Sequence, residues 1–203
     1  MKQLLATAVL LLILIGDAGA TTWYVRSDGG SYGTSSTTCN GLFDDAYTGG
    51  DGPNCAVKSI YEIHQWYSDP ALTLRGTARV SGGDEVIFSK PSDSFPIGAN
   101  RTTTPASCSS SSPYDCNLAP FPDGSSGDPT RILGYGYDNF GGCPAATMVE
   151  LYGDQGASSI FRTHGHDWVE FNCLDITDHS NCGFRTGAND CAENYPADVG
   201  AYA

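Results

Sequence analysis

The residues best suited to chemistry form an acidic group in the second half of the chain. Asp175 lies within the alternating stretch Leu174–Thr177, and Asp178 and His179 follow it directly. Because side chains alternate between the two faces of a strand, Asp175 is predicted to point outward, away from its apolar neighbours. Outward carboxylates on stacked strands could bind calcium or serve as an acid–base pair, and Arg131 or Arg162 could lie nearby. The suggested cofactor is calcium, and the catalytic candidates are Asp175, Asp178, His179 and Arg131.

A structural role is the alternative for the same group. Asp side chains commonly hydrogen-bond the backbone of a turn, and Asp178 and His179 come where the strand is expected to end. Both interpretations stay open, because no motif ties Arg131 or Arg162 to the acidic group.

A second candidate is the group His164-Gly165-His166-Asp167. Two histidines separated by one residue can both reach one metal ion from a strand or turn, and Asp can add an oxygen ligand. His179 would have to supply a third ligand from a neighbouring part of the fold. The alternative is an ordinary polar turn between two strands.

A third candidate is the aromatic cluster of Tyr135, Tyr137 and Phe140, which is set among glycines. Sugars stack on aromatic faces, and flanking glycines would leave those faces open. Packing of the rings against the protein is the alternative. The cluster therefore suggests a polysaccharide partner without requiring one.

The stretch that must position these groups is HDWVEFNCLDITDHSNC, which begins at His166. Val169 and Phe171 are apolar on one parity, and Leu174 and Ile176 are apolar on the other. A bend at Asn172-Cys173 that absorbs one residue would return all four side chains to the same interior. Asn tolerates the left-handed conformation that such a bend needs. This pattern favours a coil of a parallel β-helix over its alternative, a β-hairpin corner.

Short strands separated by turn residues are predicted along most of the chain. Ile132 and Leu133 are expected to be buried, and Arg131 is not. Residues 99–128 are interpreted as a Ser/Thr-rich insertion. The predicted strands cover residues 21–26, 82–89, 95–98, 129–136, 148–153 and 159–164.

One amphipathic helix is predicted, over residues 55–67, where Val57, Ile60 and Tyr67 recur at helical spacing. An amphipathic helix before the first coil could cover the open end of a solenoid. The lone His64 in this segment is interpreted as a helix-surface or core-edge residue rather than a metal ligand.

Residues 1–20 have the pattern of a signal peptide. An apolar run follows Lys2, and Ala18-Gly19-Ala20 supplies the small side chains of a cleavage site. The mature chain is therefore predicted to begin at Thr21. The protein is expected to be secreted, periplasmic or at the cell surface, without a membrane-spanning helix.

All eight cysteines lie beyond the predicted signal peptide. An even number of cysteines behind a signal peptide predicts disulfides, and a zinc cluster is the rival that no CxxC pair supports. Neighbours along the chain are expected to pair, because each bridge would close a Gly/Ser-rich loop. The expected bridges are Cys39–Cys55, Cys108–Cys116, Cys143–Cys173 and Cys182–Cys191.

The formal net charge of −13 disfavours nucleic acids and anionic membranes as partners, because both would repel the chain. Neutral or cationic partners and calcium suit such a surface. The composition gives no indication of the oligomeric state.

The order WYV, GGDEVIF, PTRILG and WVEFNCLDITDHSNC, with cysteine-closed loops between, resembles exported bacterial proteins of the pectate-lyase-like superfamily. The resemblance spans most of residues 23–191. It implies an all-β fold, a right-handed parallel β-helix with a short N-terminal capping helix. Residues 21–78 would form the cap region and residues 79–203 the first coils of a longer solenoid.

Members of that superfamily include polysaccharide lyases, glycoside hydrolases and adhesins. The resemblance therefore implies a protein that binds and could cleave an extracellular polysaccharide. A non-catalytic surface or adhesive module is the alternative, and a metal-dependent hydrolase is a more remote one. The paired-Asp and Arg/Lys elements of the polygalacturonases are missing, so their mechanism is not transferred to this chain.

Overall fold

The computed structural model describes residues 19–49, 53–68, 73–89, 94–97, 117–135, 137, 143, 148–153 and 165–177. Within these residues the chain is rich in short strands, with a single 3-10 turn at Ile60–Glu62. The strands are β1 (Thr22–Gly30), β2 (Trp66–Ser68), β3 (Thr73–Arg75), β4 (Glu85–Phe88), β5 (Ser94–Ile97), β6 (Thr130–Gly134), β7 (Val149–Gly153), β8 (Val169–Asn172) and β9 (Leu174–Thr177).

The largest sheet has four parallel strands in the order β1–β4–β6–β8. Its register aligns one apolar row across all four strands, made of Trp23, Val86, Ile132 and Phe171. These side chains line the hydrophobic core. Because successive side chains point to opposite faces, the residues next to this row face away from the core.

A second parallel sheet has the strand order β5–β7–β9. Phe95, Leu151 and Ile176 are aligned in its register and pack in the same core as the first sheet. The rings of Phe88 and Phe95 meet edge to face, with their centroids 4.9 Å apart. The two parallel sheets therefore share one interior.

The bend between β8 and β9 is confirmed, and it sends the chain from one sheet to the other. Cys173 adopts the left-handed conformation, with a φ of 59°, in place of the predicted Asn172. Phe171 and Leu174 both pack against the core, as the change of parity predicts. Gly134 lies against this bend, since a Cβ there would collide with the carbonyl oxygen of Cys173.

The predicted helix over residues 55–67 is wrong. The chain there has one 3-10 turn, Ile60–Glu62, in which the Ser59 hydroxyl accepts the backbone N–H of Tyr61. After the turn, β2 pairs antiparallel with β3. Pairing with β3 and an antiparallel bridge from Trp66 to the distant Leu118 keep residues 66–68 extended, so the helical spacing reflects burial rather than a helix.

His64 is buried in the core, not on a helix surface. Its ring stacks on Phe121, with the centroids 4.1 Å apart. Its Nε2 lies 2.9 Å from the carbonyl oxygen of Ala119. Because a carbonyl only accepts, Nε2 is the protonated nitrogen of the neutral ring. The other nitrogen, Nδ1, is buried with no hydrogen-bond partner in the described part of the chain.

The predicted fold, a right-handed parallel β-helix with a capping helix, is also wrong. The described strands form separate small sheets, two parallel and one antiparallel, and they do not close into a solenoid. Alternating apolar residues predicted the strands of the two parallel sheets and their buried faces, but not β2 and β3. That alternation carries no information on how the sheets connect, which depends on pairings between distant segments. The division at residue 78 stays a prediction.

Two of the four expected disulfides are confirmed, Cys39–Cys55 and Cys143–Cys173, each with Cα atoms 4.9 Å apart. The other two pairs, Cys108–Cys116 and Cys182–Cys191, lie outside the described residues. No helix in the described part of the chain is long and apolar enough to cross a membrane.

Candidate functional site

Arg131 lies in the middle of a polar row on the outer face of the four-stranded sheet. The register places Thr22 of β1, Glu85 of β4, Arg131 of β6 and Glu170 of β8 side by side. Each of these residues is next in sequence to a member of the apolar core row. Alternation along the strands therefore turns the four polar side chains outward together.

The row is held together by ion pairs. Nη1 of Arg131 donates to Oε1 of Glu85 over 3.1 Å, and Nε of Arg131 donates to Oε2 of Glu170 over 3.2 Å. The Thr22 hydroxyl donates to Oε2 of Glu85 over 3.4 Å. We call these four residues the charge ladder. Its guanidinium is half-buried, while the carboxylate of Glu170 is exposed and open to a ligand.

The ladder fixes the charge of Arg131. The hydrogen bond to Glu85, followed by that to Glu170, raises the pKa of the guanidinium above its usual value, although partial burial opposes the shift. A lyase that uses an arginine as its base needs the guanidinium to lose a proton during the reaction. Glu85 and Glu170 stabilise the protonated form of Arg131, which disfavours its use as a proton-abstracting base.

Asp175 lies on a different sheet from Arg131. It is exposed on β9, and the register places it beside Glu150 of β7. Arg131 is on β6 and is paired with glutamates of its own sheet. The structure therefore does not join Asp175 and Arg131 in one group. The other two candidates, Asp178 and His179, lie outside the described residues.

His166 and Asp167 are fixed by a residue that no sequence motif marks. Nδ1 of His166 lies 3.1 Å from Oδ1 of Asp123, and the backbone N–H of Asp167 donates to the same oxygen over 2.7 Å. The Asp123 carboxylate thus holds the turn that leads into β8. Its distance of 43 positions from His166 explains why sequence spacing could not reveal it.

The predicted metal group is not seen among the residues that the structure describes. Within them, no three His, Cys, Asp or Glu side chains are placed to hold a metal ion together. His164 and His179, two of the proposed ligands, lie outside this part of the chain. The His166–Asp123 pair supports the alternative interpretation, a polar turn before a strand.

Trp168 is the most unusual residue near the charge ladder. Its φ is 59°, a left-handed conformation that is rare for a bulky residue, and its side chain is 54% exposed. Its carbonyl oxygen accepts the backbone N–H of Thr130, which fixes it beside the start of β6. Strained residues persist where the surroundings fix them and often mark functional sites. Trp168 comes two residues before Glu170, at the open end of the ladder.

The predicted aromatic cluster is divided between core and surface. Tyr135 is partly buried and packs against the core, as the alternative interpretation holds. Tyr137 is exposed, and Phe140 lies outside the described residues. The sequence offered no signal for Trp168 beyond an indole within a polar run, HGHDW.

No protein-family model matches the chain, and no curated protein or solved structure is significantly similar to it. The resemblance to the pectate-lyase-like superfamily therefore stays a prediction. Any functional inference must come from the geometry of the ladder and of Trp168.

Proposed function

We propose that this chain is an exported protein that binds an extracellular polysaccharide at Trp168 and the adjoining charge ladder. The single observation that carries the proposal is the exposed indole of Trp168, held in a strained backbone conformation. An exposed tryptophan removes a large apolar face from the core and offers it to a ligand. A sugar ring has an apolar face that can stack on such a surface.

The ladder supplies the polar half of a sugar site. Glu170 has an exposed carboxylate that can accept hydrogen bonds from sugar hydroxyls, and Arg131 retains donors beside it. Both side chains are already held by ion pairs, so little rotamer freedom is lost when a ligand binds. A specific small-ligand site usually combines aromatic or apolar side chains with a few fixed donors and acceptors.

The charges indicate which class of polysaccharide fits. The ladder holds two carboxylates for one guanidinium, and the whole chain carries a net charge of −13. A polyanion such as polygalacturonate would be repelled at long range. Neutral or amino-sugar polymers are therefore the expected ligands. The signal-peptide pattern and the two disulfides support an extracellular setting.

The test is binding of the full chain to matched neutral, cationic and anionic polysaccharides, measured by calorimetry and affinity electrophoresis. Binding to a neutral or cationic polymer is expected, with a loss of at least about tenfold in Trp168→Ala. Phe43→Ala removes another exposed aromatic side chain, in the loop closed by Cys39–Cys55, and is the matched control. Absence of binding to every polymer, or equal losses in the two variants, would contradict the proposal.

Cleavage can be tested in the same incubations. Because Glu85 and Glu170 hold Arg131 in its protonated form, Arg131→Met is expected to leave the yield of any unsaturated product unchanged. New reducing ends without unsaturation would instead indicate hydrolysis, with Glu170 and Glu85 as the carboxylates to substitute first.

A non-catalytic adhesive module is the second candidate. One observation favours it: the loop between Cys39 and Cys55 exposes the apolar side chains of Leu42, Phe43 and Tyr47. If the chain adheres to a surface through this loop, Phe43→Ala would reduce adhesion, and Trp168→Ala would not.

A further inference from the structure

Asp84 is a buried carboxylate at the start of β4, and its hydrogen bonds reach back to the beginning of the fold. It is only 4% exposed. Its Oδ2 accepts the backbone N–H of Ser81 over 2.8 Å and the indole N–H of Trp23 over 3.1 Å. Its Oδ1 accepts from the backbone nitrogen of Thr21 over 2.8 Å. These three donors are all neutral while Thr21 is part of a longer chain.

Thr21 is fixed on both sides of its peptide unit. Its nitrogen donates to Asp84, and its carbonyl oxygen accepts the backbone N–H of Glu85 over 3.0 Å. The two preceding residues differ sharply from it. Gly19 and Ala20 are exposed, and a Cβ placed on Gly19 would meet nothing within 4 Å. The ordered hydrogen-bonding of the sheet therefore begins at the nitrogen of Thr21.

This boundary coincides with the cleavage site that the sequence predicts, between Ala20 and Thr21. Two independent features, a small-residue signal-peptidase motif and a buried acceptor for one backbone nitrogen, select the same peptide bond. The carboxylate of Asp84 therefore lies at the atom that processing would convert into a charged group.

We propose that the Ala20–Thr21 bond is the processing site and that the new α-ammonium of Thr21 forms a partly buried ion pair with Asp84. In the hydrolysis, water adds across the amide bond, Ala20 leaves as a carboxylate, and the Thr21 nitrogen becomes an ammonium group. The nitrogen keeps its place 2.8 Å from Oδ1 and changes from a neutral donor to a cation. Processing thus supplies the countercharge for Asp84.

The consequence is a coupling between export and stability. A neutral N–H satisfies one lone pair of the carboxylate, but an ammonium group also neutralises its charge in a poorly solvated place. The ion pair links the first residue of the mature chain to the strand that pairs with β1. Retaining even one extra residue would convert the ammonium back into an amide and remove the charge from this site.

The first measurement is the mass of the full chain after export by a bacterial host, which is expected to correspond to an N-terminus at Thr21. The second compares this chain with one that retains Ala20, using urea unfolding followed by tryptophan fluorescence. The retained residue is expected to lower the folding equilibrium constant on the order of tenfold. In Asp84→Asn the difference between the two chains is expected to vanish, while Asp45→Asn, on an exposed loop, should leave it intact.

A third measurement covers the case in which Asp84→Asn does not fold. The rate at which an amine-reactive reagent labels the Thr21 α-amino group is measured in the native chain and after unfolding. Strong protection in the native chain is expected if the ammonium is paired with Asp84. A different N-terminus, equal stability with and without Ala20, or unprotected labelling would each overturn the proposal.

Discussion

Arg131 and His64 are two basic side chains whose surroundings shift their pKa values in opposite directions. Arg131 lies on the outer face of a sheet between Glu85 and Glu170, and these partners raise its pKa. His64 lies in the core against Phe121, and burial lowers its pKa to about 4 despite the hydrogen bond to the backbone.

The difference between Arg131 and His64 shows how position in the fold decides whether a basic side chain is charged. At the sheet surface, a cation is retained because two carboxylates accompany it and solvent remains close. In the core, the imidazole serves as a flat packing group and keeps one hydrogen bond, so it must stay neutral. Surface charge is thus available for ligands, whereas an unpaired charge on His64 in the core would destabilise the fold.

The largest expected effect comes from acidification. Because the folded-state pKa of His64 lies below the ordinary value of 6.5, the unfolded chain binds the proton first. The contribution of neutral His64 is complete above about pH 6.5 and is lost as the pH falls towards 4, amounting to about 3 kcal/mol. Urea unfolding across this range measures the slope. His64→Gln should flatten it, and His166→Gln, at the exposed turn, should not.

A smaller effect is expected at Arg131. Replacing it by Met leaves Glu85 and Glu170 without their shared cation, which should lower stability by about 1 kcal/mol at low salt. The loss should shrink at high ionic strength, because salt screens the remaining repulsion. Arg131→Lys keeps the charge but not the two-pronged geometry, so an intermediate value is expected. Unchanged stability at every salt concentration would show that the charge ladder does not contribute to the free energy of unfolding.

At Trp168 the comparison is between two small residues. Gly adopts a φ of 59° freely and Ala does not, so Trp168→Gly should be more stable than Trp168→Ala by about 1 kcal/mol. Both variants should lose polysaccharide binding, because both lack the indole. Chemical denaturation and calorimetry measure the two properties separately. Equal stability would mean that the backbone strain is relieved when the indole is removed.

The smallest effect is expected at Asp175. It lies beside Glu150 in the register, so neutralising it removes a repulsion between like charges. Asp175→Asn should change stability by less than about 0.5 kcal/mol and leave polysaccharide binding unaltered. A loss of binding equal to that of Trp168→Ala would indicate that the polysaccharide site lies on the sheet that contains β9.

Sequence patterns predicted what is decided locally. The parity of Val169 and Phe171 against Leu174 and Ile176 predicted two strands and a bend, because alternation depends only on neighbouring residues. The bend itself uses Cys173 rather than Asn172, since the disulfide to Cys143 and the contact with β6 constrain that position.

Features that depend on distant pairings could not be predicted. The helix over residues 55–67 fails because residues 65–67 hydrogen-bond the distant segment 117–119, and the solenoid fails because alternation does not specify how sheets close. Arg131 was singled out, but its partners follow from a register that joins strands 46 and 39 residues away. No sequence motif marks Asp123 or Trp168, and only the three-dimensional structure shows where they lie.

Gly134 constrains how this sequence can change during evolution. No side chain fits between its Cα and the Cys173 carbonyl, and Cys173 is itself bonded to a cysteine 30 positions earlier. A mutation at Gly134, Cys143 or Cys173 removes the packing partner or the bonding partner of the others. The three residues are therefore expected to change together or not at all. Diverged descendants of a common ancestor should therefore keep this glycine and both half-cystines long after the surface has drifted beyond recognition. These three residues would then identify related proteins whose overall sequence identity is no longer detectable.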